Sequence, residues 1–322
     1  MLFPLVLLVF LLAPLPTVAV TFPVLEDPLT VEVVPTSPVP GQVVQVRSSY
    51  FAQNPEGVHY SWSVNGRTVD QGVGVKNITV EVGPLGSRTS VSLTVTENGV
   101  VKGQKTVAIQ PADVDIVWEA DTAHIPFVSN RPLPNADSTI VAVAVPHIVR
   151  TSGTRVSAND LVYSWKINRS STPSLVGYGK NVFTFSSPQF KNQFSVGVTV
   201  TTREGDITAE KSITITPVEP SVLFYENAPL LGTRFDRAIN DELVLSGEEV
   251  TVSAYPLSLS GATALQYEWR ANGRVVEASP EDPRTITFRK TGEGRGYFTI
   301  ELSVSQFQAL FNRVKSSFLL TF

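Results

Sequence analysis

The sequence predicts an all-β chain of three tandem antiparallel β-sandwiches behind an apolar leader. Three observations predict it. One heptapeptide recurs, as Tyr60-Ser61-Trp62-Ser63-Val64-Asn65-Gly66, as YSWKINR from Tyr163 and as YEWRANG from Tyr267; three of the four tryptophans thus lie 103 and 104 residues apart. Each copy is followed by a strongly alternating segment: Val91, Leu93 and Val95, then Val196, Val198 and Val200, then Ile300, Leu302 and Val304. Such period-two patterning places one face of a strand on a core and the other in water. Finally, no window carries a helical period.

Taken in order, residues 1–19 form the leader, and residues 20–112, 113–219 and 220–322 form the three sandwiches. The leader has no charged side chain before Glu26, and small residues, Thr17-Val18-Ala19, follow its apolar run. It reads as a secretory signal. The alternative is a retained anchor, although Pro4, Pro14 and Pro16 leave its uninterrupted apolar stretch short of the ~20 residues needed to span a bilayer. Both readings place the remainder outside the cytoplasm.

Ahead of each Trp lies a β-rich pair, with Pro146 and Pro256 at matching places; Pro146 is expected to end its strand just before His147. In the heptapeptide, Tyr and Trp share a face because alternate strand residues do. Tyr60, Trp62, Tyr163, Trp165, Tyr267 and Trp269 are therefore assigned to the cores, where an indole spans two sheets about 10 Å apart. Asn65-Gly66 and Asn272-Gly273 supply the positive-φ residues of tight turns. In the second copy Arg169 replaces Gly, so a longer or different turn is expected there. Trp-to-core spacings of 31, 33 and 33 residues (Trp62 to Leu93, Trp165 to Val198, Trp269 to Leu302) put any length change in a connection. Asn98-Gly99 marks the hairpin to the last strand of the first sandwich.

These heptapeptides resemble the immunoglobulin-like superfamily of bacterial and archaeal surface proteins, near the polycystic-kidney-disease-type modules, whose Tyr-x-Trp strand precedes an Asp/Asn-Gly turn. Here SVNG, KINR and RANG follow the Trp, in place of that family's DFGDG. The layout also resembles multi-module envelope proteins of small-genome bacteria, some linked to type IV pili. That resemblance implies spacer, adhesive or scaffold roles without catalysis. Cysteine is absent, which excludes disulfides, thiolate metal sites and a cysteine nucleophile, and the missing inter-sheet disulfide favours a prokaryotic relative.

Composition excludes other classes. Net charge is -4, and the three sandwiches carry 6 basic against 7 acidic, 9 against 10, and 10 against 12 residues. No basic surplus exists to neutralise phosphates, so nucleic acid is not an expected partner. Contact with a membrane is expected only through a retained leader. His59, His124 and His147 show no metal-ligand spacing, and His59 should face solvent, opposite Tyr60. No nucleophile elbow, Walker loop or dinucleotide fingerprint occurs; GVGVKN and GYGKN are turns that lead into strands. No cofactor is expected, and the chain is read as a non-enzyme.

Asp113, Asp115, Glu119 and Asp121 form a weak calcium candidate, weighed against the wet face of an edge strand. Long aperiodic segments open the second and third sandwiches, starting at Trp118-Glu119 and Tyr225-Glu226; they are expected either to pack on the preceding sandwich as stiffeners, with Trp118 and Tyr225 at the joints, or to cover the sheet edge of their own sandwich. The leading functional expectation is an exported structural or adhesive element, with other envelope proteins or extracellular glycan as partners. Its alternative is a recognition module using Phe127, Tyr178 and Phe235, and the third is an accessory subunit of an exported hydrolase.

Overall fold

The computed structural model describes residues 28–322 except 52–54, 126–127, 137, 190–191, 262–264 and 307–311, with residues 55 and 171–175 described as backbone alone. The leader and Phe127 lie outside the described residues.

The first sandwich comprises β1 (Leu29–Val34), β2 (Val43–Tyr50), β3 (Val58–Val64), β4 (Arg67–Val73), β5 (Asn77–Glu81), β6 (Thr89–Glu97) and β7 (Val100–Ile109). Sheet β1-β2-β5 faces sheet β4-β3-β6-β7. The second repeats this order with β8 (Asp113–Ala120), β9 (Thr139–His147), β10 (Val162–Ile167), β11 (Ser170–Tyr178), β12 (Val182–Ser186), β13 (Phe194–Thr201) and β14 (Thr208–Ile215). The third adds two strands: β15 (Ser221–Ala228), β16 (Gly232–Ile239), β17 (Glu242–Val244), β18 (Glu249–Leu257), β19 (Leu265–Ala271), β20 (Arg274–Val276), β21 (Thr285–Arg289), β22 (Tyr297–Gln306) and β23 (Arg313–Thr321). Each sandwich has its own hydrophobic core. The chain is all-β, with three tandem immunoglobulin-like sandwiches.

The heptapeptide explains why the three copies agree. Trp62, Trp165 and Trp269 are at most 1% exposed and pair across their sheets with Leu93, Val198 and Leu302. A buried indole N–H needs an acceptor. In all three copies it donates to a backbone carbonyl just before the next sheet's strand: Val75 at 2.8 Å, Lys180 at 2.8 Å and Pro283 at 3.1 Å. In the first two copies a matched glycine pair, Gly72/Gly74 and Gly177/Gly179, turns the chain at positive φ so that this carbonyl faces the core. Tyr60 and Tyr163 are buried, while Tyr267 is half-buried against its core.

The Asn of the motif closes a reciprocal clamp. Asn65, Asn168 and Asn272 have φ of 49°, 49° and 47°. Their Oδ1 atoms accept the backbone N–H of Ser90, Ser195 and Thr299 at 2.9, 3.0 and 2.9 Å. Their own backbone N–H groups donate to the carbonyls of the same three residues. Each turn is thereby tied to a strand 25 to 27 residues away.

Arg169 corrects an expectation. It adopts φ 69°, beside 80° and 77° for Gly66 and Gly273, and Ser170 pairs directly with Ile167. The second turn is therefore the same tight two-residue turn, not a longer one, because the clamp on Asn168 holds it despite the Cβ. A non-glycine residue in that region costs about 1 kcal/mol. Arg169→Gly should accordingly raise the stability of the second sandwich by about 0.5–1 kcal/mol in denaturant titrations, with no change elsewhere.

Pro146 does not end its strand: β9 continues through His147, and Pro256 likewise lies within β18. Ala144 N–H donates to Asn181 and Ala254 N–H to Arg284, each at the very end of the neighbouring strand. Two residues on, the proline nitrogen points to the same side but beyond that neighbour, so no ladder bond is lost. Tyr50 occupies the matching place in the first sandwich, two residues after the Ser48 N–H that donates to Lys76.

The long segments differ from expectation. The one after Tyr225 is regular structure: β16 forms a hairpin on β15 and extends its sheet, and β17 crosses over to pair in parallel with β23. The third sandwich thus has nine strands, not about seven.

Candidate functional site

Loop-to-loop joints link successive sandwiches. At the first, Ala112 N–H donates to Pro38 O at 3.1 Å, and at the second Val218 N–H donates to Pro134 O at 2.8 Å. In both, the linker is tied to the β1–β2 or β8–β9 connection of the sandwich it leaves. At the first joint Gly86, with φ 82°, sits against the β9–β10 connection of the next sandwich. A Cβ there would come within 3.0 Å of Val149 Cγ1 and 3.2 Å of the Arg150 carbonyl.

The second joint is denser. Thr122 bridges Ser260 as an added antiparallel step. Ala123 N–H donates to Leu259 O, and Ser258 N–H donates to Ala123 O, both at 2.8 Å. Behind them Asn135, Ser260 and Asn312 are buried at 3%, 7% and 1% exposure. Asn135 Nδ2 donates to Asn312 Oδ1 at 3.1 Å, and Ser260 Oγ donates to Asn135 Oδ1 at 3.0 Å. Ser260 N–H also donates to Asn312 Oδ1, at 3.2 Å. Asn312 Nδ2 donates to Ser260 O at 3.0 Å and to Gln306 Oε1 at 2.7 Å. Asn312 thus uses all four of its side-chain hydrogen-bonding positions. Asp121–Ala123 and Asn135 thus contact the following sandwich, while Arg131 lies over Trp118 of their own; the expectation that this segment packs on the preceding sandwich is corrected. Asp121 O, both backbone groups of Ala123 and the Asn135 side chain find partners in the β18–β19 and β22–β23 connections.

Trp118 and Tyr225 lie away from these contacts. Arg131 stacks over the Trp118 ring at 4.4 Å, within the same sandwich. Tyr225 belongs to an aromatic trio with Phe235 and Tyr255, at centroid distances of 5.2 and 5.8 Å, on the outer side of its own sheet. The joint residues that matter are Thr122, Asn135, Ser260 and Asn312. Short polar residues inside aperiodic loops gave sequence reasoning no signal.

Other predicted residues are scattered. His59 is exposed, on the face opposite Tyr60. Asp115 is exposed on edge strand β8 and meets His147 of β9 at 3.1 Å, a pair 32 residues apart in sequence. Asp113 Oδ1 accepts the Val114 N–H, and Glu119 and Asp121 are exposed. Among the described residues, no three His, Asp or Glu side chains gather as metal ligands. Tyr178, 54% exposed, has Arg203 at 5.8 Å on the second sandwich, whereas Phe235, 40% exposed, sits on the third. Beside Tyr178 the Arg150 guanidinium bonds Glu204 and holds its carboxyl below the usual range. Burial pushes the Tyr163 hydroxyl up to about 12, and it donates to Ala158 O at 3.0 Å.

The third sandwich carries an apolar concavity of about 480 Å³. Ile286, Ile300 and Leu320 floor it, Phe288, Phe298 and Phe322 line it, and Lys290 is at the rim. The counterpart of Phe298 in the second sandwich, Phe194, is 2% exposed and packs edge-on against Phe185. Phe298 instead stacks on Phe322 at 5.6 Å and is 41% exposed, which leaves the space between the sheets unfilled.

No family model and no curated protein matches the chain. Among solved structures it is similar to the fibronectin(III)-like modules of Clostridium thermocellum CbhA, with 6% identity, a TM-score of 0.30, and coverage of 59% of this chain and 93% of that one. The central fibronectin-III array of RIM-binding protein gives 13% identity, a TM-score of 0.30, and coverage of 90% and 94%. The three N-terminal domains of the Highly Immunogenic Outer Capsid protein of bacteriophage RB49 give 13% identity, a TM-score of 0.26, and coverage of 91% and 97%.

Proposed function

We propose that this chain is an exported, non-enzymatic structural element of the cell envelope, a stalk or scaffold whose sandwiches are held in a fixed relation. One observation carries the reading: the joint between the second and third sandwiches is a buried, fully paired polar network. A flexible linker would leave these groups to water. Burying Asn135, Ser260 and Asn312 is favourable only while both sandwiches stay in place, since separating them exposes or orphans each partner. The apolar leader supports export, and the absence of cysteine, and so of an inter-sheet disulfide, favours a prokaryotic relative.

Stiffness is the property to measure. The variant Asn135→Ala/Asn312→Ala should broaden the solution-scattering distance distribution and lower the maximum dimension, while each sandwich keeps its own unfolding transition. An unchanged profile would remove the stalk reading. Fractionation of native cells, with mass spectrometry of the mature N-terminus, tests export and decides between a cleaved and a retained leader.

A further inference from the structure

The second sandwich carries a polar hollow of about 660 Å³ next to the first joint, where Arg150 belongs to both. The β9–β10 connection supplies Arg150, Arg155 and Asn159, the end of β11 supplies Tyr178, and the β13–β14 turn supplies Arg203 and Glu204. The immunoglobulin-like architecture does not require that turn: the first sandwich closes the equivalent hairpin with Asn98-Gly99 alone, between β6 and β7.

Hydrogen bonds fix the walls. Arg150 N–H donates to Thr154 O at 2.9 Å, and Val156 N–H donates to Ile148 O at 3.0 Å. The Tyr163 hydroxyl holds Ala158 O from the core side, and Gly179 N–H ties the end of β11 to Leu161 O at 3.0 Å. Thr202 Oγ1 accepts the Ile207 N–H across the β13–β14 turn at 3.2 Å. The Arg150–Glu204 pair, at 2.9 Å, links that turn to the β9–β10 connection. A site held this way loses little freedom when it binds.

Three arginines against Asp160 and Glu204 leave one excess positive charge in the lining. Glu204 takes Arg150. Among the described residues, Arg155 and Arg203 have no carboxylate partner. Arg203 lies over the Tyr178 ring at 5.8 Å, yet that ring stays 54% exposed. An exposed aromatic beside a guanidinium fork suits a ligand with an apolar face and a carboxylate on one small ring. A pyranose with a carboxylate in place of its hydroxymethyl group has both. Its hydroxyls, each donor and acceptor, match the hydroxyls of Thr154 and Ser157 and the amide of Asn159. One excess charge fits a monoanionic carboxylate better than a dianionic phosphate. Because connections bound most of the hollow, an extended peptide finds no strand ladder there to join.

We propose that this hollow binds an acidic oligosaccharide of the uronic-acid type, with Arg155 and Arg203 on a carboxylate and Tyr178 against the face of a sugar ring. The site goes beyond the stalk reading and does not rest on it. Its failure would leave the scattering result on the second joint untouched, and a flexible second joint would leave this site untouched.

Calorimetric titration of the full chain with galacturonate, glucuronate and mannuronate oligomers tests this. At least one should bind at low salt, and more weakly as salt rises. Its methyl-esterified form and a tetraglutamate peptide should each bind about tenfold more weakly or worse. Arg203→Ala and Tyr178→Ala should each weaken binding of that oligomer about tenfold. Arg203→Lys should restore only part of the loss, since it keeps the charge without the fork, and Tyr178→Phe should stay within about twofold of the unaltered chain. Both positions are exposed, and unaltered melting will show that the variants fold. No binding of any of the three oligomers up to about 10 mM, equal affinity for the ester or the peptide, or binding indifferent to both alanine variants would each overturn the proposal.

Discussion

Replacing Trp165 with alanine should lower the stability of the second sandwich by about 3–5 kcal/mol, the largest single-residue effect expected in this chain. The side chain is fully buried and packs on Phe183 at a centroid distance of 5.4 Å. Its removal leaves a cavity that flanking residues of two hydrogen-bonded sheets cannot collapse to fill. It also orphans the Lys180 carbonyl that receives the indole N–H, a further cost of about 1–3 kcal/mol if water does not reach it. For a sandwich of this size the melting temperature should fall by roughly 10 °C or more. Trp165→Phe separates the terms: the ring contact survives in part, but the carbonyl stays unpaired. The same substitution at Trp62 or Trp269 should act alike, each in its own sandwich, because all three indoles share one setting. Trp118, half-buried beneath Arg131, is the control and should lose much less. Calorimetry of the full chain decides the matter. Three large, separate losses are expected, and one large loss among near-neutral ones would contradict the equivalence of the copies.

The second large effect is expected at Asn312, a buried polar residue of the second joint. Asn312→Ala should cost the third sandwich and its joint about 2–4 kcal/mol. Four hydrogen bonds are lost at once, those to Asn135 Nδ2, Ser260 N–H, Ser260 O and Gln306 Oε1. Asn312→Asp keeps the shape but turns two donors into acceptors facing Ser260 O and Gln306 Oε1. It should be at least as damaging, because a carboxylate buried there has no positive partner. If alanine is harmful and aspartate harmless, size and not hydrogen bonding holds the joint. The readout is the third unfolding transition together with the scattering profile, since a joint residue should alter both and a core residue only the first.

Much of each sandwich was legible because its signals are local. Period-two alternation around Leu93, Val198 and Leu302 identified the strands that turn out to pair with Trp62, Trp165 and Trp269. Positive-φ Asn-Gly turns were legible for the same reason. Arg169 misled, because the residue that forces that turn is Asn168 through a strand 27 residues away. Pro146 misled because whether a proline breaks a strand depends on where the neighbouring strand stops, here at Asn181, and its own sequence does not show that. The segment after Tyr225 lacked a readable period since β16 is exposed on most of its length and β17 spans three residues.

The sequence by itself determined the number of sandwiches, their all-β class and the indole at the centre of each, because burial on a pleated strand imposes a two-residue rhythm that any reader can count. Tertiary structure alone decided how the sandwiches meet. Asn135 and Asn312 are 177 residues apart and meet only once two separately folded units stand in register. Hydrogen bonds between loops leave no rhythm in either partner. An unfilled cleft likewise depends on which way Phe298 turns, which the packing of Phe322 beside it decides.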